Sequence, residues 1–466
     1  MFPTHKQFGV RITGKPWIHT VGACTGRVIA LDSPRRDPAL ELGPYNLASV
    51  LKHEFTHTVT LAATRNRIPH WLTEGLAVWQ EDHPRSFEWM GMLAERVRRG
   101  TLFTLEDINW GFARPRRPDD RQVAYAQSEW MCEFIIERHG YDVIQKMLER
   151  FRDRRTQNDV FRELLGVEPA EFDRRFQPWA RQQVESWGFP LNAPEDVEPL
   201  REAYKNDAEN VDLGARLARA ELDAGNDERA LAVARQVLAR EPNHVEAMSV
   251  ACRVTFHLRQ EERAPQARTE IDNEAEPILL RLANRRPGDW VVHKFLGLIA
   301  LERGDLDRAE RHFLDHQRVC PLDPASFAAL GGIYLKRGND EAALPQLLEL
   351  AQTEEHDPDT FSGLARIYVR RGALPDAAAW FQRALLIDPF SIQLHEELAR
   401  VKMQLGDSAG ALHEYRMLTR LEPTKATHFA NAATAAHKAG LSAVAVDMAR
   451  RAVELDPDSP ARVLIP

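Results

Sequence analysis

Beyond Tyr45 the apolar residues recur with a helical period almost to the C-terminus, as expected of helices that bury one face. The first forty residues differ, holding two short β-like runs, FGVRI (8–12) and GRVIALDS (26–33), broken by glycine and proline. The pattern predicts short strands first, then helices over 46–64, 69–82, 86–99, 122–150 and 169–186, with Pro69 in the first turn of the second. WGFPLNAPEDVEP (187–199) is rich in proline and poor in helical periodicity, so a linker is expected there. A chain of 466 residues exceeds what one core usually organises, and this division gives a first domain over 1–190, a linker over 191–207 and a second domain over 208–460.

The second domain is periodic at a longer range. Gly304, Gly338, Gly372, Gly406 and Gly440 are each 34 residues apart, and an alanine follows five residues after each, at Ala309, Ala343, Ala377, Ala411 and Ala445. Gly225 with Ala230 is a further copy upstream. The small residues mark where paired helices touch. Proline stands seventeen residues after the glycine at Pro242, Pro321, Pro389, Pro423 and Pro457, ending the second helix; only the copy at Gly338 departs, with Glu355 there and Pro358 nearby. Gly225 to Gly304 is 79 residues, two periods plus eleven, which predicts a degenerate repeat with an insertion around 257–275. The pattern resembles the tetratricopeptide repeat, and LGLIALERGDLDRAERHF is close to its consensus. That resemblance covers roughly 208–460 and implies an α-solenoid whose groove binds a protein partner.

LKHEFTHTVTLAATRNRIPHWLTEGLAVWQED (51–82) carries the candidate chemistry. His53 and His57 lie one turn apart on a helix and can aim two imidazole nitrogens at one cation, a donor pair that suits zinc. Glu54, one residue round the helix, stands beside such an ion and can take a proton from a bound water. A third protein ligand is needed, and Glu74 is the candidate: sixteen residues intervene after His57, enough for a turn and a returning helix, and Gly75 lets the helices approach closely. Composition alone yields about 0.09 chance occurrences of the histidine–glutamate–histidine pattern, so a buried helix pair with satisfied histidines remains the alternative.

IPHWLTEGLAVWQE resembles the WLxEGxA segment of gluzincin metallopeptidases, the aminopeptidase N group among them. The similarity spans about 45–130 and is greatest to stand-alone peptidase MA-like domains, which are often joined to tetratricopeptide repeats. It implies a Zn2+ ion held by His53, His57 and Glu74, with Glu54 as general base and acid. AYAQSEWMCEFIIERHG resembles a YAQS stretch of these domains, which makes Tyr125 the candidate oxyanion donor; beside Trp130 and Phe134 it is equally placed for a core aromatic. His70 and His83 are weaker candidates for that role, and Asp32 or Asp107 for a carboxylate behind a ligand histidine. Two features depart from the aminopeptidases: the interval from His57 to Glu74 is slightly shorter, and the strand region VGACTGRVIALDS lacks the acidic residue that grips a free amino terminus. The strand still offers backbone groups to an extended peptide. The fold class expected is mainly α, a small α+β zincin-like domain followed by the solenoid.

Composition narrows the rest. With 44% hydrophobic and 28% charged residues and a net charge of −8, the chain is globular and a poor partner for nucleic acid. No apolar run approaches the ~20 residues of a membrane span. MFPTHKQFGVRITGKPW lacks the apolar core of a signal peptide, so the chain as written is expected in the cytoplasm; Met1 runs almost directly into strand-like sequence, which suggests a start further upstream and, with a signal there, a periplasmic or secreted protein. Cys24, Cys132, Cys252 and Cys320 are widely spaced and expected as buried free thiols. RPRRPDDR (114–121) and REAYKNDAEN (201–210) mix both signs like solvated faces and receive no binding role, while Trp380, Phe381 and Tyr415 fall at packing positions. Two functions follow: a zinc-dependent peptidase whose repeats recruit a peptide or protein substrate or another protein partner, or a non-catalytic interaction scaffold with a peptidase-like domain.

Overall fold

The computed structural model describes residues 1–2, 4–14, 20–33, 45–81, 83–353 and 356–466. Among these the protein is mainly α, with one two-stranded sheet. Helix α1 (His5–Thr13) stands where FGVRI predicted a strand. The Thr4 hydroxyl caps it by accepting from Gln7 N at 3.3 Å, and His5, Phe8 and Gly9 form the buried face while Val10 and Ile12 are exposed. Helical spacing of the buried residues has overridden the β preference of the branched ones, which sit on the wet side. GRVIALDS does contain a strand. β1 (Gly22–Cys24) and β2 (Ile29–Leu31) form an antiparallel hairpin in which Gly22 faces Leu31 and Cys24 faces Ile29.

Next come α2 (Leu47–Thr64), α3 (His70–Trp79), α4 (Phe87–Arg99), α5 (Ile108–Ala113), α6 (Asp120–His139), α7 (Asp142–Arg152) and α8 (Gln157–Val160), then a π-helical turn (Phe161–Leu165), α9 (Pro169–Ser186) and α10 (Val197–Asn206). The helix expected over 122–150 is two, because Gly140 lies between them at φ 76° and ψ 161°, a backbone only glycine adopts readily. α5 and α8 are too short to show a period. α10 begins inside the proline-bearing segment and buries Leu200 and Tyr204 against Leu217 and Ala220.

The remaining chain runs, in sequence order, as α11 (Val211–Asp223) and α12 (Asp227–Arg240), α13 (Val245–Glu261) and α14 (Pro265–Arg285), α15 (Trp290–Glu302) and α16 (Leu306–Val319) packed as pairs, then α17 (Pro324–Lys336), α18 (Asp340–Thr353), and the pairs α19 (Pro358–Arg370) and α20 (Leu374–Ile387), α21 (Ile392–Gln404) and α22 (Ser408–Leu421), α23 (Ala426–Lys438) and α24 (Ser442–Leu455). The periodic glycines follow the first helix of their pairs in the left-handed region, Gly304 at φ 76° and Gly406 at 79°, where a Cβ would be strained. Ala309, Ala343, Ala377 and Ala411 are fully buried. The eleven extra residues between Gly225 and Gly304 do not form an inserted loop. They lengthen one pair, α13 and α14 having 17 and 21 residues against 13 and 14 in α15 and α16. Glu355 lies outside the described residues.

By contact the chain groups into two compact units, one of 1–86, 103–176 and 340–466, the other of 87–102 and 177–339. The core of the first is α3, whose residues Trp71 to Val78 are all buried, beside an aromatic cluster in which Trp130 meets Phe176 and Phe134 meets Phe172 edge-on. All four cysteines are free; Cys132 and Cys252 are buried, but Cys24 and Cys320 only partly so.

Candidate metal centre

α2 starts where the Asn46 side chain accepts from Ala48 N at 3.0 Å and Ser49 N at 3.3 Å. One turn apart in its middle, His53 and His57 bring their Nε2 atoms to 3.1 Å. α3 supplies the third donor: Glu74 Oε2 lies 3.4 Å from each of those nitrogens. The helix is held in place from behind. A Cβ on Gly75 would stand 2.4 Å from Ser128 O of α6, so the close approach that this glycine permits is to α6 rather than to α2.

The three donor atoms thus form a triangle with sides of 3.1, 3.4 and 3.4 Å. Ligands about 2.0–2.1 Å from one tetrahedral ion lie about 3.3–3.4 Å apart, so the triangle has the size of one face of a zinc site. Glu74 Oε2 is buried without a hydrogen-bond partner, which fits an atom that serves a cation. The residues present therefore fit the metal.

Behind each of the three donors stands a further polar group. His53 Nδ1 bonds Glu81 Oε1 at 2.5 Å, and Glu81 Oε2 in turn meets His83 Nε2 at 2.8 Å. His57 Nδ1 lies 2.9 Å from Thr73 Oγ1, which is 2.7 Å from Thr60 Oγ1. His70 Nε2 is 2.9 Å from the second oxygen of Glu74. His70 and His83 therefore stand behind the donor triangle, against Glu74 and Glu81 respectively. Burial would lower the pKa of His53, but the carboxylates of Glu74 and Glu81 beside it push it up to about 10. Burial likewise works to raise Glu74, and the facing imidazoles of His53, His57 and His70 outweigh it, holding the carboxyl well below its ordinary value. The cluster is built to collect positive charge.

Glu54 is 5% exposed, with Oε2 unpartnered, and burial pushes its pKa up. Gly22 of β1 packs directly on it: a Cβ there would fall 2.5 Å from Glu54 Oε1. Both line a cleft of about 820 Å³ together with His53, His57, Glu74, Tyr125 and Arg121. Tyr125 is partly buried; its ring centroid is 6.4 Å from that of His53 and its edge-on partner is Phe112. Burial first, and the charge of Glu74 next, raise the phenol pKa, so it enters the cleft as a protonated donor. Asp32 and Asp107 do not stand behind a ligand. Asp32 bonds His5 Nδ1 at 2.9 Å, and Asp107 opens α5 while bonding Thr104 Oγ1 at 3.1 Å. Sequence reasoning missed Glu81 and Thr73, which are ordinary polar residues on α3 and its end until α2 is placed against them, and Gly22, whose role is the space it leaves. It also passed over Arg121, at the end of a charge run read as solvated.

Residues 40–182 match the Peptidase MA superfamily, and three overlapping or successive stretches, 296–359, 331–392 and 396–460, match the tetratricopeptide repeat. The pair α11 and α12 carries the glycine and alanine pattern, at Gly225 and Ala230, upstream of those matches. No curated protein matches the chain. Among solved structures, YrrB, a tetratricopeptide-repeat protein with an unusual peptide-binding site, is 16% identical and covers 40% of this chain and 95% of its own, with a TM-score of 0.34. PilF of Pseudomonas aeruginosa is 14% identical over 46% of this chain and 96% of its own, TM-score 0.33. MamA of Desulfovibrio magneticus is 21% identical over 37% and 95%, TM-score 0.31.

Proposed function

We propose that this chain, a Peptidase MA superfamily domain followed by tetratricopeptide repeats, is a zinc-dependent peptidase whose repeats bind protein. The observation that carries the reading is the donor triangle of His53, His57 and Glu74 with the unpartnered carboxylate oxygen of Glu54 in the same cleft. A scaffold has no need of a proton-transfer group there. His53, His57 and Glu74 would hold the zinc, which supplies Lewis-acid activation of water and of the scissile carbonyl.

The chain's own residues account for the other steps. An extended peptide pairs with the free edge of β1, which among the described residues has β2 as its only strand neighbour. Glu54 takes a proton from the attacking water and returns it to the departing amine nitrogen. Tyr125 donates its phenolic hydrogen to the oxygen that becomes negative, a role its protonated state suits. Glu81 and Thr73 keep the two imidazoles turned with Nε2 inward. The test is hydrolysis of a mixed peptide library by Glu54→Gln, which keeps shape and loses the base: zinc content should equal that of the wild type and turnover should vanish. Tyr125→Phe in the same assay should lower kcat by about 10²-fold with KM little changed. Turnover by Glu54→Gln at the wild-type rate would sink the mechanism.

A further inference from the structure

The second unit holds another set of donors that the peptidase reading does not use. His293 on α15 faces His312 and Asp315 on α16, and one donor atom from each lies within 4.8 Å of the others. The tautomer of His293 is set by its surroundings, since Nε2 is 2.8 Å from Pro287 O, an acceptor, and must carry the hydrogen. The lone pair is therefore on Nδ1. That atom is buried, has no hydrogen-bond partner, and lies 3.8 Å from Asp315 Oδ2, in a side chain 8% exposed. A lone pair and a carboxylate oxygen thus face each other with no hydrogen between them, an arrangement that a cation would satisfy. His312 adds a second ring whose Nδ1 is also buried and unpartnered. Asp315 meets Arg318 through Oδ1 at 2.6 Å, which leaves Oδ2 for the site, and the nearby Arg308 is engaged by Glu276.

We propose that His293, His312 and Asp315 form a second metal site for a first-row divalent ion of the zinc class. Two imidazoles and one carboxylate suit such ions, with a fourth position left for water. Two donors come from α16 at i and i+3, and one comes from the facing helix, so the ion clips the two helices of the first pair that matches the repeat family. Its role is to brace that pair, and it stands apart from hydrolysis. The simpler occupant is a proton, which would make His293 an imidazolium paired with Asp315.

The test is zinc content of the full chain, stripped with chelator, reloaded with zinc chloride and dialysed. The wild type should hold two zinc ions per chain. His312→Ala and Asp315→Asn should each hold one, with helical content and peptide hydrolysis unchanged, and zinc should raise their unfolding temperature less than it raises that of the wild type. Asp315→Asn is nearly isosteric and keeps the test valid should His312→Ala fold poorly. Glu74→Ala should lose the other ion, and Glu74→Ala with Asp315→Asn should lose both. Zinc content in His312→Ala and Asp315→Asn equal to the wild type would overturn the second site and assign the proton; one zinc per chain in the wild type and in Glu74→Ala alike, lost in the double variant, would overturn the peptidase centre alone.

Discussion

The strand glycine that packs on Glu54, the proposed general base, gives a sharp perturbation. Gly22 has an ordinary extended backbone, so Gly22→Ala introduces no backbone strain; it adds only a Cβ, 2.5 Å from Glu54 Oε1 and 2.9 Å from Cγ. Ordinary van der Waals contact begins at 3.4 Å, so the carboxylate must retreat by about 0.9 Å. A displacement near 1 Å at a reacting group costs roughly 10²-fold, equivalent to about 2.7 kcal/mol of transition-state stabilisation. The ligands are on α2 and α3, away from the new methyl, and should keep their ion. Steady-state hydrolysis of a peptide cleaved by the wild type, run beside elemental analysis, should show kcat reduced about 10²-fold at unchanged zinc. A kcat within threefold of the wild type would refute the reasoning, because it would mean that Glu54 does no chemistry from the position it occupies.

Glu81→Gln removes the charge that orients His53 at 2.5 Å, and zinc affinity measured against a competing chelator should weaken by about 10- to 100-fold, while unchanged affinity would remove Glu81 from the site. Asp323, 2% exposed, has its pKa opposed by burial but lowered overall, from 3.8 to about 2, by His316 and Lys294 at 3.1 and 2.7 Å. A depressed folded-state value means the carboxylate stabilises the folded state fully above pH 4 and loses that contribution as pH falls towards 2. Asp323→Asn should therefore cost about 2 kcal/mol at pH 7 and progressively less in acid; an equal loss in denaturant unfolding at pH 7 and pH 2.5 would contradict the ionic origin.

Much of the fold was legible because its signals are local. The glycine after each first helix must take a left-handed backbone, and the alanine five residues on must fit a fully buried contact, so both recur with the period of the structure. His53 and His57 were legible for the same reason, being one helical turn apart. What failed depended on packing or on a single backbone angle. FGVRI is β-like residue by residue, yet its buried positions follow His5, Phe8 and Gly9; Gly140 interrupts a continuous apolar pattern through its own ψ; and Glu81 acquires its partner only when α3 lies along α2. The charge run ending at Arg121 was unreadable for a related reason: Asp120 turns inward to accept from Arg116 N and Arg117 N at 2.7 and 2.9 Å, and Arg121 is left at the cleft.

The central claim is that His53, His57 and Glu74 together hold a zinc ion, and Glu74 is the residue on which it turns, since a helix carrying two histidines alone makes an incomplete site. The direct measurement is zinc per chain in Glu74→Ala and wild type, purified and reloaded side by side, with helical content recorded to confirm folding. Glu74→Ala should hold one zinc fewer per chain than the wild type at equal helicity; zinc undiminished in the folded variant would contradict the ligand assignment and with it the peptidase account.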